Sequence, residues 1–268
     1  MTMTQAINLG SDGQIPAIMT AVGISNLTNG LANGYEHEED NSASSVGNGT
    51  REQTDPYTIP PNDQLTFTPR KLRVITGGAG FSGLMLAHKF QHRFSEMQSI
   101  IQHKIFEARH DMGGTWLVNT YLGVQCDDPS HTYFYSSGPE ILRNIKRTAE
   151  KWDPTRDVQL HTKVVSAIWR ADSGMWKVTV ESQGERRDES AEVLISAQGV
   201  LDSCKRLSIP GIESFAGHRV NSADWDHSFN YPFKMMAVVG NGSSDVQIVP
   251  QLIKLPGTTV TNFARGPA

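Results

Sequence analysis

The chain has 268 residues, 38% hydrophobic and 19% charged, with 24 Lys and Arg against 28 Asp and Glu. That length allows one large domain or two small ones, and the composition excludes collagen, a multi-pass membrane protein and a wholly disordered chain. Two cysteines, Cys126 and Cys204, are too few for a disulfide framework or a four-thiolate zinc site, and the net charge of −4 gives no general attraction to nucleic acid.

Charge is unevenly spread. Residues 1–70 carry a net −6 and only three aromatics, whereas 71–268 carry +2. Stretches such as Asn41-Ser-Ala-Ser-Ser-Val-Gly-Asn-Gly-Thr50 bury too little apolar surface to offset chain entropy. Residues 1–55 are therefore expected to be mostly disordered. No basic residue precedes Arg51, which speaks against a secretory or transit leader. No apolar run approaches the ~20 residues needed to span a bilayer. The expectation is a soluble, cytoplasmic protein with neither membrane nor nucleic-acid partner and no metal. Residues 56–70, with Pro56, Pro60, Pro61 and Pro69, read as an extended strap.

Order begins at Lys71-Leu-Arg-Val-Ile-Thr76, a short strand rich in β-branched residues. A glycine loop follows, then a helix with apolar Leu84, Leu86, Ala87 and Phe90. Gly78, Gly80 and Gly83 make Gly-x-Gly-x-x-Gly. The first permits a tight turn, the second lets backbone approach a diphosphate, and the third lets helix and strand pack closely. A second strand, His103-Lys-Ile-Phe-Glu107, ends in an acid 24 residues beyond Gly83, where a carboxylate can accept ribose hydroxyls.

Downstream, Pro139–Trp152 has the spacing of an amphipathic helix, with Ile141, Leu142, Ile145, Ala149 and Trp152 on its apolar side. Segments 158–160, 164–171, 176–181 and 193–196 alternate like strands, with Asp172-Ser-Gly174 as a hairpin turn. Met235-Met-Ala-Val-Val239 is a further strand. A second glycine loop, Gly240-Asn-Gly-Ser-Ser-Asp245, leads into a helix expected over 246–254, and 258–263 forms the next strand.

Between these landmarks lie Gly113-Gly-Thr-Trp116 and Cys126-Asp-Asp-Pro-Ser-His131. Together with Gly-x-Gly-x-x-Gly and the terminal Glu, they resemble the class B flavoprotein monooxygenases. The likeness is greatest to the Baeyer–Villiger enzymes of fungal secondary metabolism, and covers about residues 57–268. It implies an α/β fold: a Rossmann-like FAD-binding domain with an inserted β-layer (56–211), then a linker and the start of a Rossmann-like NADP-binding domain (212–268). By this resemblance Gly78, Gly80, Phe81, Ser82, Gly83 and Glu107 hold the ADP half of FAD. Gly114, Thr115 and Trp116 line the flavin, and Val164 is a further cofactor-binding position. Asp127, the candidate catalytic residue, matches an Asp that helps position a distant arginine. Gly240, Gly242, Ser243, Ser244 and Arg265 would meet NADPH.

The implied reaction uses FAD, NADPH and O2 to convert a small ketone, of polyketide type, to an ester or lactone. Alternatives are N- or S-oxygenation, a flavin reductase, and a non-catalytic remnant with or without FAD. Four departures from the family pattern carry consequences. The Asn-Pro-x-Trp-Ser block is missing after His131. Asn221 stands where the Phe215…Trp225-Asp226 signature has a histidine. Asp245 replaces the third small residue of the second loop. The chain stops early in the nicotinamide domain, which implies a sheet of few strands with an open edge and uncovered apolar faces. A carboxylate at 245 would face the incoming diphosphate, so weak NADPH binding is expected.

Overall fold

A computed structural model describes residues 70–127, 134–201, 204 and 209–264, together with two strands near the N-terminus. The strap at 56–69, the Ser130–His131 junction and Arg265 lie outside the described residues.

Three sheets form the frame. Strands β3 (Leu72–Gly77), β4 (Ile101–Phe106), β5 (Val158–Gln159) and β9 (Val193–Ser196) make a parallel sheet in the order β5-β4-β3-β9. Val74, Ile75, Ile105 and Phe106 are all buried, as expected for parallel strands covered on both faces. One face packs helix α1 (Phe81–His88) and helix α3 (Gly138–Trp152) through a cluster of Ala79, Leu84, Ala87, Ile105, Ile141 and Ile145. Pro139 sits in the first turn of α3, where its missing N–H costs nothing.

The other face carries an antiparallel layer of β6 (Lys163–Arg170), β7 (Met175–Ser182) and β8 (Glu185–Ala191). Val178, Val180 and Ala191 from this layer meet Ile75 and Phe106 from the parallel sheet. It is the expected inserted β-layer: the segments 164–171 and 176–181 supply β6 and β7, β8 is additional, and the segments at 158–160 and 193–196 join the parallel sheet instead.

The third sheet runs β10-β2-β1-β11-β12, with β10 (Arg219–Asn221), β11 (Met235–Val239), β12 (Thr259–Phe263), β1 (Met3–Ile7) and β2 (Ala17–Val22). Here the structure corrects one expectation: the sheet has five strands rather than few, two of them contributed by the segments Met3–Ile7 and Ala17–Val22. Strand β1 pairs antiparallel with β11, so the backbone groups on that flank of β11 find partners. The run Ala17-Ile-Met-Thr-Ala-Val22 is the most strand-like segment of an otherwise polar stretch. Uncovered apolar faces do occur, at Phe233, Val246, Ile253 and Phe263. Helix α4 (Ser243–Leu252) buries Ile248 and Leu252 in a cluster with Met236, Val238, Trp225 and Tyr231. It begins three residues earlier than the sequence pattern indicated.

Candidate functional site

The first glycine loop joins β3 to α1. Gly78 has φ +110°, and a Cβ there would stand 2.5 Å from Ala197 O. At Gly83 a Cβ would stand 2.1 Å from Gly78 O, so a side chain could enter only by prising helix from loop. Gly80 is the N-cap of α1, extended at φ −80° and ψ −167°, and no side-chain oxygen among the described residues caps it. Phe81 and Ser82 lie exposed in the first turn beyond it.

Glu107 follows the end of β4 and is buried. Its Oε2 accepts the Ala79 N–H at 2.7 Å and its Oε1 accepts the Arg109 N–H at 2.9 Å. The carboxylate thus pins the glycine loop to the neighbouring strand. Each oxygen retains lone-pair capacity toward a hydroxyl.

The Gly-Gly-Thr-Trp segment closes over this loop. The Gly113 N–H donates to Ala79 O at 3.1 Å. Gly114, the N-cap of the short helix α2 (Thr115–Val118), has φ +55°, and a Cβ on it would lie 2.9 Å from Gly80 Cα. Two glycines are needed here because the two backbones pass at van der Waals contact. Trp116 is half-buried against the cluster of Ala79 and Leu84. Val164 at the start of β6 covers the loop's other flank, its Cγ2 3.7 Å from where a Gly77 Cβ would be.

From α2 the chain crosses to the second glycine loop. Tyr121 is buried in the cluster of the third sheet, with Leu122 and Val124 packed against it. Gly123, at φ +79°, lies so close to α4 that a Cβ would stand 2.7 Å from Gln247 O. Gln247 is the hub. Its Oε1 accepts the Tyr121 hydroxyl at 3.0 Å and the Gln125 N–H at 3.2 Å. Its Nε2 donates to Gln125 O at 3.1 Å and to Asp127 Oδ1. Burial pushes the Tyr121 hydroxyl up to about 12, with Asp127 and Asp245 reinforcing and a Ser244 hydrogen bond opposing. Tyr121 and Gln247 were not singled out in the sequence. The signal for Gln247 was its place one residue before Ile248, on the buried side of α4.

The second loop repeats the backbone of the first. The Gly240 N–H donates to Phe263 O at 2.9 Å, as Gly78 N–H does to Phe106 O at 2.8 Å. Gly242 is an extended N-cap at φ −110° and ψ −174°. The difference is Asp245, 1% exposed, whose Oδ2 accepts the Gly242 N–H at 2.7 Å. Burial pushes this carboxyl up to about 7, opposed by that hydrogen bond. Ser243 is half-buried and Ser244 buried beside it.

In the linker, Asn221 is buried and its Oδ1 accepts the Ala223 N–H at 2.9 Å. His218 stacks on Phe229 with centroids 4.0 Å apart, and its Nε2 lies 3.1 Å from Asp226 Oδ2. Among the described residues no group of His, Cys, Asp and Glu is arranged to hold a metal, and no helix is long and apolar enough to cross a membrane.

Two strand–loop–helix units, each with a glycine N-cap and bridged by one segment, define an α/β protein of the paired dinucleotide-binding class. The family model for flavin-binding monooxygenase-like proteins matches residues 125–263, and the chain belongs to that family. It is 39% identical over 213 residues to the FAD-binding monooxygenase tazF of Aspergillus terreus, covering 75% of this chain and 37% of that protein. A Baeyer–Villiger monooxygenase of Streptomyces coelicolor is 31% identical over 210 residues, covering 70% and 34%. Among solved structures, the open form of cyclohexanone monooxygenase aligns with a TM-score of 0.61 at 26% identity, covering 74% of this chain and 40% of that one. OTEMO in complex with FAD and NADP aligns with a TM-score of 0.61 at 27% identity, covering 75% and 40%. The chain thus spans well under half the length of these relatives.

Proposed function

We propose that the chain is the FAD-binding portion of a monooxygenase acting by Baeyer–Villiger oxidation on a small ketone, with O2 as co-substrate. The observation that carries this reading is the fit of the first loop to a dinucleotide diphosphate. No described side chain caps the helix at Gly80, Gly83 admits no side chain, and Gly114 lies against the same backbone. FAD, when bound, supplies the electron transfer and oxygen activation.

The residues around it do the binding and orienting. Backbone N–H groups at Gly80, Phe81, Ser82 and Gly83 face the diphosphate at the positive end of α1. Glu107 holds that loop in register and accepts a ribose hydroxyl. Gly114, Thr115, Trp116 and Val164 wall the ring side. Asp127, held by Gln247, is the positioning carboxylate. In this reading 56–211 forms the FAD unit and 212–268 the nicotinamide unit, with Arg265 toward the 2′-phosphate. The second loop does not fit a diphosphate in the conformation seen, because Asp245 holds the Gly242 N–H. That observation favours a second reading, a chain that retains flavin without turning over.

The test is reconstitution of the purified chain with FAD, read by flavin absorbance after gel filtration, followed by ketone-dependent NADPH oxidation. Retained flavin with ketone-dependent oxidation supports the monooxygenase. Retained flavin without it supports the second reading, and failure to retain flavin overturns both.

A further inference from the structure

Asp245 occupies the position in the second loop that Gly83 occupies in the first. In the first loop that position has no room for a side chain. In the second it holds a carboxyl group that is 1% exposed and turned back onto its own helix start. One oxygen takes the Gly242 N–H, and the other, Oδ1, is buried with no hydrogen-bond partner among the described residues. A donor of the kind that binds a diphosphate is therefore already engaged by an acid from the same turn.

Among the described residues, no basic side chain bonds to that acid. The segment 119–127 brings Tyr121, a neutral hydroxyl, within electrostatic reach of it. The strands packed around α4, Met3–Ile7, Met235–Val239 and Thr259–Phe263, contain no titratable residue. A buried carboxylate with an unpartnered oxygen and no cation is disfavoured in its charged form. Desolvation accordingly pushes this group up to about 7.

We propose that Asp245 determines what the second loop accepts: its carboxylate is a built-in occupant of the diphosphate seat, and a nicotinamide dinucleotide enters only together with a proton on Asp245. This rests on the reading of that loop as a nicotinamide dinucleotide loop. The proton comes from solvent and no covalent bond changes. Protonation removes the charge that repels the diphosphate and converts an acceptor into an O–H that donates to a phosphate oxygen.

The experiment is calorimetric titration of the FAD-reconstituted full chain with NADP+ from pH 5.5 to 8.5, repeated in two buffers of different ionisation heat. Asp245→Asn keeps a neutral acceptor for the Gly242 N–H, and Asp245→Gly restores the first loop's pattern. The ligand's 2′-phosphate titrates in the same range, so the quantity read is the difference between wild type and Asp245→Asn. The expected result is similar affinity at pH 5.5 and a widening gap above pH 7, about tenfold per pH unit. One additional proton is taken up per NADP+ bound by wild type at pH 8.5. Equal pH dependence in the two proteins overturns the proposal, as does a wild type that fails to bind at pH 5.5 while Asp245→Asn binds. If neither variant binds NADP+ at any pH while the flavin spectrum is intact, the reading of the loop fails, and the proposal with it.

Discussion

The two glycine loops of this chain share a hydrogen-bonding frame and differ in what fills it. Each follows a parallel strand, each begins with a positive-φ glycine, Gly78 at +110° and Gly240 at +152°, and each donates its first N–H to the end of the next strand. In the first loop the turn is kept open by an acid on a different strand, because Glu107 takes the Ala79 N–H from the side and leaves the helix end uncapped by any described side chain. In the second the acid belongs to the helix itself and closes onto Gly242. The same kind of bond therefore props one loop open and plugs the other. Motif spacing reports the backbone; the third small position decides the electrostatics.

The largest effect should come from making the first loop resemble the second. In Gly83→Ala the added Cβ would lie 2.1 Å from Gly78 O, a backbone atom that cannot rotate away. Loop and helix must separate, at a cost of about 3 kcal/mol or more in unfolding free energy. Flavin retention through gel filtration should be lost. A variant that keeps its flavin and its denaturant midpoint would show that the loop has slack, and the contrast with the second loop would weaken.

The converse change should stabilise. Asp245 has a folded-state value raised to about 7 from 3.8, so the folded protein binds a proton more tightly than the unfolded chain does. The resulting stabilisation is fully present below about pH 4 and is lost as pH rises to about 7. Asp245→Asn abolishes this loss. Its unfolding free energy should exceed wild type by about 2–4 kcal/mol at pH 8 and match it near pH 4, by urea titration at both values. A difference that does not change with pH would mean that Asp245 does not titrate in the folded state.

Much of this contrast was legible in the sequence, for reasons that also explain what was not. Gly78, Gly80 and Gly83 could be read because their spacing has few other uses, and Asp245 because a carboxylate interrupts that spacing. Its self-capping was missed because α4 was expected from Val246, which left Asp245 in the loop instead of at the third helical position, where an acid reaches back to the N-cap. Strand β8, Glu185-Arg-Arg-Asp-Glu-Ser-Ala191, was invisible because its first six residues are all polar and alternation vanishes. It forms because β7 supplies a full antiparallel partner, from Ser182↔Glu185 to Trp176↔Ala191. Glu107 was read as a ribose ligand. Its bonds to two backbone N–H groups depend on the path of 77–79 and 107–109, which no local pattern specifies. The strand at Ala17–Val22 is hidden because average composition conceals a six-residue run with five apolar positions.

The connection between the loops offers a smaller and more selective change. Gln247 stands two residues beyond Asp245 and joins α4 to the Tyr121–Asp127 segment, which in turn continues from the Gly113–Trp116 turn over the first loop. Replacing it with Leu keeps the volume but removes both halves of the amide. The buried Tyr121 hydroxyl and the Gln125 backbone then lose partners, at about 1–3 kcal/mol for groups left unsatisfied. If the amide only fills space, Gln247→Glu should behave like Leu. If it registers one loop against the other, Glu should be worse at neutral pH, because a carboxylate cannot donate to Gln125 O and would face Asp127. Lowering the pH should then partly restore Gln247→Glu and leave Gln247→Leu unchanged. The readouts are urea midpoints together with the near-ultraviolet circular dichroism of Tyr121 and Trp116. Identical behaviour of the two variants across pH would reduce the bridge to packing and leave the loops energetically independent.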